Sequence, residues 1–504
     1  MRGRASAQAT AFSAPVGGWN ARDPIENMKA TDAIRLVNVF PDTDYCKLRG
    51  GYRVHATGLG SSSVKTLAEY SGPTGTRKLV AGANGNLYDA TTYSAAATSL
   101  SSGYSVDYWQ TVNFRGVMIL VNGTDSPVQY NGTATSAANY TGVADDNKLI
   151  DVTVYKTRLY FAEKDTASIW YGAVNTITGA LTELNFGGIF TKGGFVKWIS
   201  TWSADTGSGL QNVFVVCSSM GEILIYSGDY PGASDWTIEG RYYLPVPLSI
   251  RSKIHLGSDL LVLHQDGITP LSDVMGNKNS ANGYTRITDK INKAFRDAVR
   301  AYSSQQPWEM AVYPMGHWLL VSIPISNYGM AQQYVANTLT GAWCQFKGMN
   351  AASWGLLNEK IYFGGNDGKV YEADYGYNDN SAAINVDIKT AFTYLGDRAH
   401  NKRFSLVKPI LISDTAFRFK LAIDVDYQDR ETETTASFIT SSGSAWDTAT
   451  WDSSSWDTGS VRTVRPYVVN GIGKCMAVKV GGQFKNLNFS LAAFDVIYER
   501  GGFL

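Results

Sequence analysis

Paired carboxylates are the side chains of this sequence best suited to chemistry. Asp42 with Asp44, and Asp424 with Asp426, could supply the acid and base of glycoside hydrolysis or ligands for Ca²⁺. The second pair alternates with Ile423 and Val425, as on the wet face of a half-buried strand, which accounts for it without a ligand. Five histidines, His55, His255, His264, His317 and His400, show no H-x-x-x-H or H-E-x-x-H spacing, so no metal site is expected. Cys46, Cys217, Cys344 and Cys475 form no C-x-x-C pair and read as buried small apolar residues, with disulfides or zinc as the alternatives. Gly364-Gly365-Asn366-Asp367-Gly368-Lys369-Val370 lacks the glycine spacing and the hydroxyl residue of a phosphate loop and reads as a β-turn. No catalytic residue, metal or cofactor is assigned, and the chain is not expected to be an enzyme.

The nearest approach to a catalytic signature is Ser203-Ala204-Asp205-Thr206-Gly207, the first half of the Asp-box turn of sialidase propellers. The second half is missing, because Ser208-Gly209-Leu210 stands where x-Thr-Trp should follow. Composition narrows the classes further. Of 504 residues, 44% are hydrophobic and 17% charged, with 50 Gly, 13 Trp, 29 Tyr and 20 Phe against 14 Pro, which suits an all-β chain rich in hairpins. Lys+Arg and Asp+Glu both number 44, and this balance argues against tight nucleic-acid binding, which counterion release normally drives from a basic surface. It is compatible with a surface past which DNA slides. Met1–Thr10 has no apolar run behind Arg2 and Arg4, so no secretory signal is expected, and no stretch approaches the length of a membrane helix.

The elements that would position any site follow from a recurring phrase: a polar turn, one or two apolar residues, then an aromatic closing a strand. Asn84-Gly85-Asn86-Leu87-Tyr88, Gly221-Glu222-Ile223-Leu224-Ile225-Tyr226 and Asp367-Gly368-Lys369-Val370-Tyr371 are the clearest copies. Looser ones end at Tyr130, Tyr171, Leu271 and Tyr334. Successive ends lie 42, 41, 55, 45, 63 and 37 residues apart, the spacing of β-propeller blades. Residues 58–380 therefore read as a propeller of seven blades, or six if the copy ending at Tyr334 is not a blade. The 63-residue interval holds a helical stripe, Ile287, Ile291, Ala294, Phe295, Ala298, Val299 and Tyr302, predicting a helix over about 287–304. Lys293, Arg296 and Arg300 lie on its polar face. It either plugs one end of the propeller or faces a neighbouring subunit.

Outside the repeat the texture changes. Residues 1–57 read as an arm, with Trp19, Arg22, Asp23 and Phe40 as candidate interface residues. Residues 381–504 read as a β-sandwich, from the alternation of Val386, Ile388, Thr390, Phe392 and Tyr394 and of Phe417, Phe419, Leu421, Ile423, Val425 and Tyr427. Trp446, Trp451 and Trp456 recur in Trp-Asp pairs every five residues. They either cover the sandwich edge or offer an aromatic surface to a partner protein or glycan.

In segment order and texture the chain resembles the tail hub, or nozzle, proteins of short-tailed bacteriophages. The likeness rests on Ala14-Pro15-Val16-Gly17-Gly18-Trp19-Asn20-Ala21-Arg22-Asp23-Pro24, Leu36-Val37-Asn38-Val39-Phe40-Pro41 and Leu48-Arg49-Gly50-Gly51-Tyr52. Phe404-Ser405-Leu406-Val407-Lys408-Pro409 and Phe494-Asp495-Val496-Ile497-Tyr498-Glu499-Arg500-Gly501-Gly502 add to it. The resemblance implies a structural virion protein, assembled in the host cytoplasm, of which six copies form a ring below the head-to-tail adaptor. That ring would enclose the DNA ejection channel and hold tail fibres or spikes. Two other readings of the residues stand beside it: a propeller that binds or hydrolyses surface glycans, and a propeller scaffold of the cell itself.

Overall fold

The recurring phrase begins where an L side chain does not fit. Gly221 and Gly368 have φ of 79° and 70°, and a Cβ on either would lie 2.1 Å from the Leu244 carbonyl oxygen or 2.0 Å from that of Gly60. Glycine lets the chain reverse there and enter a buried strand. In the computed structural model, which describes residues 7–205, 210–276, 285–429, 434–438, 461–462 and 465–501, strands dominate and helices are few. Six phrases run into the third strands of successive blades: Asn86–Asp89, Val128–Tyr130, Ser168–Tyr171, Glu222–Ser227, Gly267–Pro270 and Val370–Ala373. The seventh lies in Ala331–Asn337, where the chain passes from one folded unit to another.

The first unit, Val54–Gln332 with Met349–Ala373, is the propeller. Its inner strands are Thr66–Ser71, Gln110–Phe114, Leu149–Tyr155, Val196–Asp205, Lys253–Leu256, Met310–Tyr313 and Ala351–Leu357. Each blade touches the next, and the last touches the first, so seven sectors close a ring. Four of them are complete four-stranded antiparallel sheets, joined by tight hairpins such as Lys156-Thr157, where both residues are left-handed. The strand ending at Thr57 lies outside Val370–Ala373 in the last blade, with Ala56 in the same core as Val370 and Tyr362. Apolar layers fill the seams: Trp198, Val215 and Ile223 of the fourth blade pack with Leu260 and Val262 of the fifth. Each such fully buried aliphatic contributes roughly 1.5–3 kcal/mol.

Tyrosines reinforce these seams. Tyr70 Oη lies 2.8 Å from the carbonyl oxygens of both Gly116 and Asn131 in the next blade. Tyr155 Oη repeats this toward Asn212 (3.1 Å) and Gly228 (2.6 Å). The fifth blade has three strands, and the helix Asn292–Tyr302 packs against Gly267–Pro270 and Trp318–Pro324. Phe295, Ala298 and Val299 are its buried face, as the stripe predicts.

The second unit, Met1–Arg53, Gln333–Gly348 and Asp374–Leu504, is a sandwich. One sheet is centred on Phe489–Arg500 and Lys402–Ser413, with Ala7–Ser13, Cys46–Leu48, Tyr467–Gly473 and Val461–Arg462 alongside. The other runs Trp343–Lys347, Asp32–Val37, Ile384–Thr390, Met476–Phe484, Phe417–Val425, Thr434–Phe438. Aromatic pairs join the two, Phe484 to Phe489 at 4.9 Å and Phe419 to Tyr467 at 5.6 Å.

This division departs from the 1–57, 58–380 and 381–504 boundaries read from sequence. The segment read as an arm supplies strands of the sandwich, and its apolar residues are core: Trp19 is 6% exposed and Phe40 1%. Arg49 explains why. Its fully buried guanidinium forms a bidentate pair with Asp379 (2.9 and 2.7 Å) and donates to Asn38 Oδ1 and the Lys347 carbonyl. Three segments distant in sequence are thereby joined at one cation. Gly51 beside it is required, since a Cβ would fall 1.9 Å from the Asn378 carbonyl oxygen.

The wet-face reading of Asp424 is also overturned. Asp424 is fully buried, because Lys479 (3.2 Å) on the adjacent strand and Lys389 (2.6 Å) on the strand beyond it reach over its carboxylate. Asp429 pairs with the same lysines and, at 3.7 Å, with Arg35.

Two outcomes follow from this packing. Tyr155→Phe should cost about 1 kcal/mol in urea unfolding, the net value of a hydrogen bond, without altering the fold by circular dichroism. The hydrogen bond from Lys479, with Lys389 nearby, holds Asp429 well below the usual carboxylate range. Its folded pKa is therefore depressed, and the stabilisation is complete above the ordinary Asp value of about 4 and lost as pH falls below it. Thermal melts from pH 6 down to pH 3 should show a decline that is shallower in Asp429→Asn.

Candidate functional site

The axis of the propeller gathers the charged groups that sequence reasoning did not bring together. Each inner strand begins near the hub, and a polar residue or backbone group from every blade enters one of two networks, around Arg251 and around Lys253. Arg251, just before the fifth blade, donates to Glu309 Oε2 (2.8 Å), the Trp109 carbonyl (2.8 Å), the Lys65 carbonyl (3.1 Å) and Thr66 Oγ1 (3.2 Å). It stacks on Tyr108 at 4.0 Å. Glu309 accepts from the Trp354 backbone N–H of the last blade at 2.6 Å. Thr66 Oγ1 donates to the Asp107 carbonyl (2.6 Å) and accepts from the Trp109 N–H (2.8 Å). Lys253 donates to Asp151 of the third blade and to the Ile199 carbonyl of the fourth, while the Ile199 N–H donates to Asp151 at 2.8 Å. A cavity of about 190 Å³ lies here, lined by Thr66, Trp109, Gln110, Arg251, Lys253, Glu309 and Trp354 among others.

Electrostatics fix what this arrangement can do. Burial pushes the Glu309 carboxyl up and Arg251 pulls it back; burial likewise opposes the Arg251 charge, which Tyr108 and Glu309 restore and hold above its ordinary range. Asp151 is raised by burial against the pull of Lys253. Each hub acid thus has a cation and a neighbouring blade's backbone N–H on its carboxylate. A general acid needs a carboxyl facing substrate, and a nucleophile needs an open one. Here both acids join blades instead. Two cations and two anions also leave the group neutral, so it does not attract a charged ligand by net field.

The residues singled out from sequence fall in different places. Trp19 is buried with its ring 5.0 Å from Tyr334, and Phe40 is core, so neither can face a partner in the folded chain. Arg22 and Asp23 pair with each other at 2.8 Å on the surface of the sandwich unit, and Asn20 holds Asp23. Lys293, Arg296 and Arg300 are exposed on the helix, as expected. Arg296 lies 3.6 Å from Asp266 and Arg300 3.7 Å from Asp297; Asp266, Arg296 and Arg300 border a surface depression of about 410 Å³. Trp446, Trp451 and Trp456 lie outside the described residues. Asp205 ends the strand Val196–Asp205, and the loop after it is likewise outside them.

The four cysteines are buried and unbridged. His264 bonds Thr269 Oγ1 at 2.8 Å inside its blade, and burial with Arg286 lowers its pKa to about 3, keeping the ring neutral. No three metal-ligating side chains cluster among the described residues. Among those residues no helix is long and apolar enough to cross a membrane.

No family model matches this chain, and no curated protein matches it. Among solved structures it is similar to "YCF48 bound to D1 peptide", at 8% identity and a TM-score of 0.39 over 63% of this chain and 93% of that one. A likeness so distant carries no argument here.

The hub network has a measurable consequence. Arg251→Met leaves Glu309 buried beside an uncharged side chain and should cost about 3–5 kcal/mol, read from urea midpoints by tryptophan fluorescence. Adding Glu309→Gln, whose amide oxygen still accepts from Trp354, should restore much of that loss.

Proposed function

We propose that this chain is a structural virion protein, the tail nozzle or hub of a short-tailed bacteriophage. Six copies form a ring below the head-to-tail adaptor, enclose the DNA ejection channel and anchor fibres or spikes. The observation that carries this reading is the use made of charge at the propeller axis. Arg251 binds Glu309 and Lys253 binds Asp151, and these two pairs hold backbone groups of the first, second, fourth and last blades, the arrangement of a scaffold rather than of a substrate site.

The resemblance in segment order supplies the particular identity. Two of its marker segments have structural work: Asn38, from Leu36–Pro41, and Arg49, from Leu48–Tyr52, meet at the buried pair with Asp379. A net charge of zero suits a channel wall, because each phosphate contact strengthens retention of passing DNA.

Mass photometry of the purified chain, alone and with the head-to-tail adaptor of the same phage, tests the proposal. A species of six copies is expected, at least with the adaptor present. A chain that stays monomeric with the adaptor bound or absent would refute it. So would hydrolysis of a host polysaccharide that disappears in Asp205→Ala.

A further inference from the structure

The sandwich sheet centred on Phe489–Arg500 ends on both sides in a strand with one unoccupied edge among the described residues. On one side Ala7–Ser13 pairs only with Phe489–Arg500. On the other, Tyr467–Gly473 pairs only with Lys402–Ser413. Exposed edges are normally protected by lysine, proline, bulges or brevity. Ala7–Ser13 has none of those protections, and Tyr467–Gly473, though its register shifts opposite Phe404–Leu406, has no lysine or proline: each is seven residues long, AQATAFS and YVVNGIG, without charge.

The outer face of the sheet carries one apolar row between charged pairs, Arg403 with Glu499 on one side and Lys408 with Asp495 on the other. Ala9, Ile497, Leu406 and Val468 stand side by side across all four strands, an apolar row running from one edge to the other. It ends at Val468, 71% exposed, and Ile472 on the same strand is 62% exposed.

The geometry points to one occupant for both edges, a second copy of this chain. Each neighbouring pair in the series Ala7–Ser13, Phe489–Arg500, Lys402–Ser413, Tyr467–Gly473 is antiparallel, so the two outer strands run in opposite directions. A copy that continues the sheet therefore sets its Ala7–Ser13 antiparallel to the Tyr467–Gly473 of its neighbour, preserving the all-antiparallel ladder and extending the apolar row. Both edges are equal in length and uncharged, so neither repels the other. Because the two edges differ, the contact is heterologous, and repeating it gives a ring or a filament rather than a dimer. We infer that Ala7–Ser13 and Tyr467–Gly473 are the two halves of one head-to-tail interface between copies. This rests on the ring reading above and assigns its contact.

The test is cysteine cross-linking with a short bismaleimide, with the adaptor present, on Ala9→Cys, Val468→Cys and the double variant; the four native cysteines are buried. The double variant should give a covalent ladder up to the ring on denaturing gels, and each single variant should give none. Dimers from a single variant would overturn the inference in favour of a two-fold edge contact. Rings without a ladder would overturn it while leaving the ring reading intact; neither rings nor ladder would overturn both. Independently, Val468→Lys at that exposed position should raise the concentration for half-assembly at least tenfold with an unchanged monomer melting temperature. An unchanged half-assembly concentration would also count against the interface.

Discussion

A closed ring of blades depends on the contact that forms last, and in this propeller the hub network makes that contact matter to every blade. Arg251 alone reaches groups belonging to the first, second and sixth blades from its place before the fifth. Glu309 carries the connection to the last, and Lys253 with Asp151 ties in the third and fourth. Burying four charges is costly unless every one is paired, and a half-made network is worse than none. A ring opened between the blades these pairs join would strand at least one of them. The network therefore penalises incomplete closure more than it adds to the stability of the closed state, while the apolar seams between blades supply the attraction.

The sandwich unit meets a related demand by other means. Its strands come from three stretches of chain, and apolar burial alone does not specify which stretch pairs with which. Arg49 does so directly. Its five N–H donors find fixed partners on residues 38, 50, 347 and 379, so the wrong segment in any position leaves a buried guanidinium unsatisfied. The Asp424 cluster acts alike across the strands bearing Lys389 and Lys479. In both units, then, buried ion pairs join parts remote in sequence, and hydrophobic layers fill between them.

This explains what could be read from the sequence. The propeller was legible because its marks are local: a left-handed glycine, a short apolar run and a buried aromatic fall within six positions, as at Gly221–Tyr226. The helix was legible for the same reason, since Phe295, Ala298 and Val299 lie within two turns. The hub was not. Asp151, Arg251 and Glu309 are single charged residues in three different repeats, each indistinguishable from a surface charge until the ring brings them together. Asp424 misled because strand alternation reports which face a side chain is on, and not what covers that face; Lys389 and Lys479 come from other strands. Residues 1–57 read as an arm because the partners of their outer strands lie hundreds of residues away, as Ala9 does from Ile497.

The two units also differ in what their sheets leave open. The propeller consumes its own ends: the strand ending at Thr57 lies beside Val370–Ala373, the outermost strands Thr98–Ser102, Thr135–Ala137 and Thr182–Asn185 are three to five residues long, and the seven-residue outer strand Thr237–Tyr243 carries Glu239 and Arg241. Short edges bond weakly to anything that approaches. The sandwich sheet does not close on itself: Ala7–Ser13 and Tyr467–Gly473 stand at its two sides, separated by two long central strands. Uncharged edges with no described strand against them recruit extended segments nearby. Identical copies supply such segments with no further component, each covering the edge its neighbour exposes. In the proposed ring the sheet-mediated contact falls to the sandwich, while the propeller, with its hub charges turned inward at the axis, remains a closed body.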